Sequence, residues 1–317
     1  MLFNNCINSA MDLVTSREQT RAGFISFALE KNRRSTPIIE NAKSLKELAS
    51  KASQPKDLLK IPQIRASLLS AAGISDKALN YFDEPEKDKA ILALIENFLE
   101  PAGEGFVDET VYRYLLIKGD SLGGQMRNIV GSLAQQRLIR TLLSNMNIMG
   151  LDYSWITIKD PNKWIQKGIF DIDIENDLKA ISWFTNGKHR VLAFNLKIPI
   201  VNKNVDICLF NCTMGDFDGG KIVNHPNKIL MLGELKGGID PAGADEHWKT
   251  GNSALARIRD AFRKSNVVVA TSFVAAAIET SMSKEIWDHL ISGDLANAAN
   301  LTVDSQMVNY CDWLIKF

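Results

Sequence analysis

The chain has 317 residues, with 37 lysines and arginines balanced by 37 aspartates and glutamates. A net charge of zero counts against a protein that coats nucleic acid nonspecifically, since such binding relies on counterions released by a basic excess; a sequence-specific binder with its basic groups along one groove stays open. The apolar fraction of 45% is that of an ordinary globular protein, with length for one large domain or two smaller ones, and no apolar run is long enough to span a bilayer.

In chain order, the first hundred residues read as helical. Thr15 or Ser16 can cap a helix reaching Arg34, with Phe24, Phe27, Ala28 and Leu29 on its apolar side and Pro37 beyond its end. Residues 38–53 repeat apolar positions at helical spacing (Ile39, Ala42, Leu45, Leu48, Ala49). A helix over 64–72 follows, then one over 77–82 capped by Asp76. Pro85 heads another helix to 98 or 99, with Ile91, Leu94, Ile95 and Phe98 facing inward. Glu100-Pro101-Ala102-Gly103-Glu104-Gly105 is the clearest boundary signal. It divides the chain into a mainly helical subdomain, 1–105, and an α/β part, 106–317. Helices are expected over 107–117 and 125–144, separated by a glycine-rich turn at 118–124 that lacks the Gly-Lys-Ser/Thr of a nucleotide loop. Strand-like runs then dominate: 153–159, 191–200, 205–210, 229–236 and 267–276. Helical spacing returns at 251–263, and the stretch from Lys284 is mixed, with Ile286, Trp287 and Leu290 at helical spacing. The expected fold class is α/β (α+β), with a mixed central sheet flanked by helices.

The segment Ile229-Leu230-Met231-Leu232-Gly233-Glu234-Leu235-Lys236 reads as a buried strand stopping at Gly237-Gly238. Side chains alternate along a strand, so Glu234 and Lys236 share a face, about 7 Å apart. Charges at the end of a buried strand need a purpose, because they are costly away from water. Asp206 lies in a second such run. Two hard carboxylates suit Mg²⁺, which takes few acids, keeps several waters and completes its shell with substrate phosphate. The backbone carbonyl of Leu235 can turn into the same site. Lys236 supplies a compact positive charge to hold a water or a phosphate oxygen. Together these parts fit hydrolysis of a phosphodiester.

His247 follows the strand end closely. It is either a packed or capping residue beside Trp248, or a base that takes a proton from the attacking water. Asp240, before Pro241, is either a turn or cap residue or an acceptor for a cytosine amino group. Two basic clusters stand out, Arg17, Arg21, Lys31, Arg33 and Arg34 in one and Lys249, Arg257, Arg259, Arg263 and Lys264 in the other; each reads equally well as a solvated helix face. The N-terminus carries no basic region followed by an apolar core. Cys6, Cys208, Cys212 and Cys311 form no zinc pattern and read as reduced thiols, which together favours the cytoplasm.

The stretches Lys203-Asn204-Val205-Asp206-Ile207-Cys208 and Gly233-Glu234-Leu235-Lys236-Gly237-Gly238-Ile239-Asp240-Pro241-Ala242-Gly243-Ala244-Asp245-Glu246-His247-Trp248-Lys249 resemble the AvaI/BsoBI group of type II restriction endonucleases. Residues 17–24 and 119–128 extend the similarity over nearly the whole chain. Val205 stands where the wider superfamily often has proline. The resemblance implies a restriction-endonuclease-like core and a homodimer around double-stranded DNA. It implies Mg²⁺-dependent cleavage of both strands of CYCGRG after the first C. Asp206 and Glu234 would be metal ligands, Lys236 their electrostatic partner and His247 a catalytic group near the attacking water, while Asp240 and Lys77 would read base edges. The competing readings are a repair or structure-specific nuclease of the same superfamily, a catalytically silent DNA-binding protein, and an acid–lysine pair that only serves the fold.

Overall fold

Eight strands line up in one sheet in the computed structural model, which describes residues 6–168, 171 and 173–317. They are β1 (Tyr153–Thr157), β2 (Ile165–Gln166), β3 (Leu178–Thr185), β4 (Lys188–Ile198), β5 (Lys203–Phe210), β6 (Ile229–Lys236), β7 (Ala270–Ala275) and β8 (Asn297–Asn300). Their spatial order is β2-β1-β3-β4-β5-β6-β7-β8. Neighbours from β2 through β6 are antiparallel, whereas β6, β7 and β8 run parallel, so the sheet is mixed. The β3–β4 hairpin turns at Asn186-Gly187, both with positive φ (50° and 74°), as a two-residue hairpin that follows the strand twist requires.

The helices are α1 (Arg17–Ala49), α2 (Arg65–Ala71), α3 (Glu84–Leu94), α4 (Phe106–Ile148), α5 (Met214–Phe217), α6 (Pro241–Lys264), α7 (Thr280–Ser292) and α8 (Asp304–Lys316). The chain forms two compact units, one of residues 25–129 and one of residues 6–24 with 130–317. In the α/β unit, α6 and α7 cover one face of the sheet around Trp248, Leu255, Phe262, Phe273 and Ile286. The last part of α4 and α8 cover the other face, around Leu138, Leu142, Leu192, Ile207 and Tyr310. The helical unit has its own core, including Leu45, Leu58, Leu68, Ile91, Ile95 and Phe106.

Several elements differ from expectation. α1 runs through Pro37 without a break. The proline is exposed, so water can satisfy the carbonyl it leaves unpaired. α4 likewise runs through Gly119, Gly123 and Gly124, so no turn or phosphate-binding loop exists there. Each helical glycine costs about 1 kcal/mol, a penalty that the buried Leu122 and Met126 in the same stretch help offset. The Glu100–Gly105 turn falls inside the helical unit, because the long helices α1 and α4 carry the chain between the units at 24/25 and 129/130. In place of a helix over 77–82 there is a short 3₁₀ turn, Ala78–Tyr81, before which Ser75 Oγ accepts from the Ala78 N–H while Asp76 pairs with Lys118. Phe98 is exposed, with the Arg113 guanidinium 3.9 Å from its ring centre. β2, β3, β8 and α8 were not foreseen.

The segment before α1 is tied to the sheet. Thr15 donates its N–H to the Ile278 carbonyl (2.9 Å) and its hydroxyl to the Ala276 carbonyl (2.9 Å). Ser16 caps α1 reciprocally with Gln19 (3.2 and 2.7 Å), which settles the choice between Thr15 and Ser16.

Candidate active site

β5 and β6 pair in a register that sets Cys208 against Leu232 and Ile207 against Gly233. One step further, Asp206 faces Glu234. In an antiparallel pair, residues directly opposite lie on one face, here the face of Cys208 and Leu232 that α6 covers. Regular pairing stops at this point. The Leu235 N–H donates to Asp206 Oδ2 at 2.8 Å instead of to the backbone of β5. In an extended strand a residue's N–H and C=O point to the same neighbour, so the Leu235 carbonyl is directed toward β5 as well. Gly233 makes the close strand packing possible: a side-chain carbon there would meet Ser272 Oγ at 2.5 Å and Ile207 Cβ at 3.3 Å.

Glu234 is buried, with 6% of its surface exposed, and its Oε2 accepts from Lys236 Nζ at 2.7 Å. Burial pushes its carboxyl above the usual carboxylate range, and the charge of Asp206 adds to this; Lys236 and Arg257 act in the opposite sense. Lys236 is partly exposed beyond the pair, so its ammonium reaches both Glu234 and solvent. The aliphatic part of Lys236 lies along α6 at Gly251, where a side-chain carbon would stand 3.7 Å from Lys236 Cε and 2.8 Å from Phe273 Cε2.

The strand leaves the sheet through Gly237-Gly238. A side chain at Gly237 would strike the Val130 carbonyl oxygen at 2.5 Å and Ala134 Cβ at 2.7 Å. At Gly238 it would overlap the His247 ring. Asp240 then caps α6, its Oδ1 accepting from the Ala242 N–H at 3.0 Å, and its side chain is exposed. Capping is therefore Asp240's role in the fold, and His247 does not cap. Its ring packs against Gly238, next to a fully buried core residue. That is Trp248, which donates to Glu285 Oε2 (2.6 Å) and packs edge-on against Phe273 with ring centres 5.0 Å apart. The His247 Nδ1 atom is buried and has no hydrogen-bond partner among the described residues. Burial, and then the nearby Lys236 charge, hold its imidazole below the usual histidine pKa, so it is neutral at neutral pH.

Asp206, Glu234, the Leu235 backbone, Lys236 and His247 thus converge at one end of β5 and β6. Lys77 belongs to the helical unit, exposed just before the Ala78–Tyr81 turn. Among the described residues no group of three or more His, Cys, Asp or Glu side chains is gathered as a metal cage. Two adjacent carboxylates with a carbonyl directed to their side form a sparse, all-oxygen donor set. That fits an ion that keeps most of its waters. All four cysteines are free thiols, and burial pushes Cys212 up to about 12. Gly251 and Glu285 were missed as supporting residues. The only sequence signal for Gly251 was a small residue inside an apolar helical stripe.

The sequence model described as "Restriction endonuclease BsobI" matches residues 3–317. The chain belongs to this family. It is 54% identical over 316 residues to the type II restriction enzyme BsoBI of Geobacillus stearothermophilus, covering 99% of this chain and 98% of that protein. It is 49% identical over 316 residues to the type II restriction enzymes AvaI of Nostoc sp. and of Anabaena variabilis, covering 100% of both chains in each case. As a BsobI-family member over its whole length, the chain is an enzyme of the type II restriction class. Among the described residues no helix is long and apolar enough to cross a membrane.

Proposed function

We propose that this enzyme hydrolyses phosphodiester bonds of double-stranded DNA at the degenerate palindrome CYCGRG, cutting after the first C, as a Mg²⁺-dependent homodimer in the cytoplasm. The observation that carries the chemistry is the convergence of Asp206, Glu234 and Lys236 at the open end of the β5–β6 pair. Family membership supports the reaction class, and the target follows from the resemblance in the motif region.

Asp206, Glu234 and the Leu235 carbonyl would hold the ion. Bound there, Mg²⁺ would lower the pKa of a coordinated water and offset charge growing on the phosphoryl group. Lys236 sets its ammonium against a nonbridging phosphate oxygen and stabilises the same charge. The neutral His247 imidazole accepts the proton of the attacking water. Asp240 spends one carboxylate oxygen on capping and offers the other to a cytosine amino group in the major groove. Lys77 donates to purine N7, an acceptor in both A and G, which accounts for the degenerate position. A palindrome presents each strand identically, so a two-fold dimer applies one site per strand.

The test is digestion of a DNA of known sequence with Mg²⁺, followed by sequencing of the fragment ends. Discrete fragments beginning one base inside CYCGRG, lost on chelation, are expected. Smears, flap-specific products or metal-independent cutting would overturn the reading.

A further inference from the structure

We propose that Arg257 binds a backbone phosphate of the strand being cut, next to the scissile one. The inference rests on the DNA-cleaving reading above and adds to that site a residue outside the set of Asp206, Glu234, Lys236 and His247. α6 lies over the face of the sheet that carries Asp206 and Glu234. Gly251 sets its position: it abuts Phe273, the residue opposite Glu234 in β7, and the Lys236 side chain. His247, Thr250, Ala254 and Arg257 recur at helical spacing and form one stripe beside the buried stripe of Ala244, Trp248, Gly251, Leu255 and Ile258. At its start, that stripe turns His247 onto Gly238. Arg257 lies six residues beyond Gly251, about 9 Å along the helix axis, on the same stripe as His247.

Of the lysines and arginines of α6, Arg257 and Lys264 alone lack a hydrogen bond or ion pair among the described residues, and Lys264 ends the helix, about 10 Å further along its axis. Lys249 pairs with Asp245 at 2.5 Å, Arg263 pairs with Asp260 at 3.1 Å, and Arg259 donates to Thr271 (3.3 Å) and the Asp294 carbonyl (3.1 Å). Arg257 is exposed and has no hydrogen bond or ion pair among the described residues. Its charge nevertheless reaches Glu234 and favours the ionised carboxylate. A guanidinium left unpaired beside an acidic site is suited to a phosphodiester, whose two nonbridging oxygens accept bidentately from its planar fork.

The experiment measures binding of the full-length protein to a synthetic duplex centred on CTCGAG and to a random-sequence duplex, in chelator so that no strand is cut, across a series of salt concentrations. Arg257→Ala should weaken binding to both duplexes about tenfold or more and make the plot of log K against log salt shallower by about 0.9, with Arg257→Lys retaining most of the slope. A set of CTCGAG duplexes, each carrying one neutral methylphosphonate linkage, locates the contact. The unsubstituted protein should lose affinity at a linkage adjacent to the cut, and Arg257→Ala should be insensitive to that same linkage. Unchanged affinity and slope in Arg257→Ala would overturn the assignment, as would lost affinity with an unchanged slope and a lowered unfolding temperature. If the unsubstituted protein binds and cuts DNA while Arg257→Ala matches it, only Arg257 loses its role. If the unsubstituted protein neither binds nor cuts any duplex, the DNA-cleaving reading falls and this inference falls with it.

Discussion

The Leu235 N–H donates to the Asp206 carboxylate at 2.8 Å, tying the strand that carries Glu234 to the strand that carries Asp206 just where their backbone ladder ends. One carboxylate thereby extends the pairing of the two strands by a side-chain bond and leaves its other oxygen outside that bond. Glu234 is buried and Asp206 half-buried, and with the Asp206 charge beside it the Glu234 carboxylate is costly to ionise unless positive charge stands nearby.

Lys236 offsets part of that cost through its 2.7 Å bond to Glu234 Oε2. Lys236→Ala is expected to lower the cleavage rate by about 10²-fold or more, as loss of a preorganised charge does at other phosphoryl and acyl sites. Because the lysine is partly exposed, the variant should still fold; single-turnover cleavage and thermal unfolding measured together check this. A large loss of stability with modest loss of rate would reduce the pair to a structural role.

Stability should depend on pH through Glu234. Its folded pKa is raised, so the folded state holds more protons than the unfolded state between the usual carboxylate value and the raised one. Stability therefore falls as pH rises through that window. The melting temperature of metal-free protein should drop across it, and Glu234→Gln should flatten the curve. Added Mg²⁺ should raise the melting temperature most above the window. A metal effect retained in Glu234→Gln would argue against Glu234 as a ligand.

His247 is expected to act as the neutral base. Its lowered pKa keeps it unprotonated at neutral pH, and activity should decline only as pH falls below the ordinary histidine range. His247→Ala should cost about 10²-fold in rate. Gly238→Ala drives a methyl group into the His247 ring and should produce a similar loss. Rates of the double variant decide the matter: the two losses should not add, because both remove one imidazole from one place.

Asp240 carries two separable duties. Asp240→Asn keeps a capping oxygen and should leave stability within a few tenths of a kcal/mol, whereas Asp240→Ala should cost about 1 kcal/mol. Both should alter cleavage preference at the cytosines of the target, read by profiling cut sites in a randomised library. An unchanged profile for Asp240→Asn would leave Asp240 as a cap alone.

Much of the site was legible because its signals are local. β6 matches the expected strand at both ends, since an apolar run bounded by Gly237-Gly238 has few other options. Alternation put Glu234 and Lys236 on one face, and their bond follows from that. α6 began ten residues earlier than its expected core at 251, because Asp240-Pro241 is a cap followed by a first-turn proline. β8 was illegible for the opposite reason. Asn297-Ala298-Ala299-Asn300 has no strand propensity, and its residues are extended and buried because β7 supplies a parallel partner.

By itself, then, the order of residues determined the chemistry on offer: two acids, a lysine and a histidine, each on an element of readable period. Tertiary structure decided where those elements meet. The register of β5 against β6 set Asp206 beside Glu234, and the fit of α6 against the sheet at Gly251 and Gly238 set Lys236 and His247 near them. Periodicity is a property of neighbouring residues, whereas register and helix seating depend on contacts between segments tens of residues apart, which no local pattern encodes.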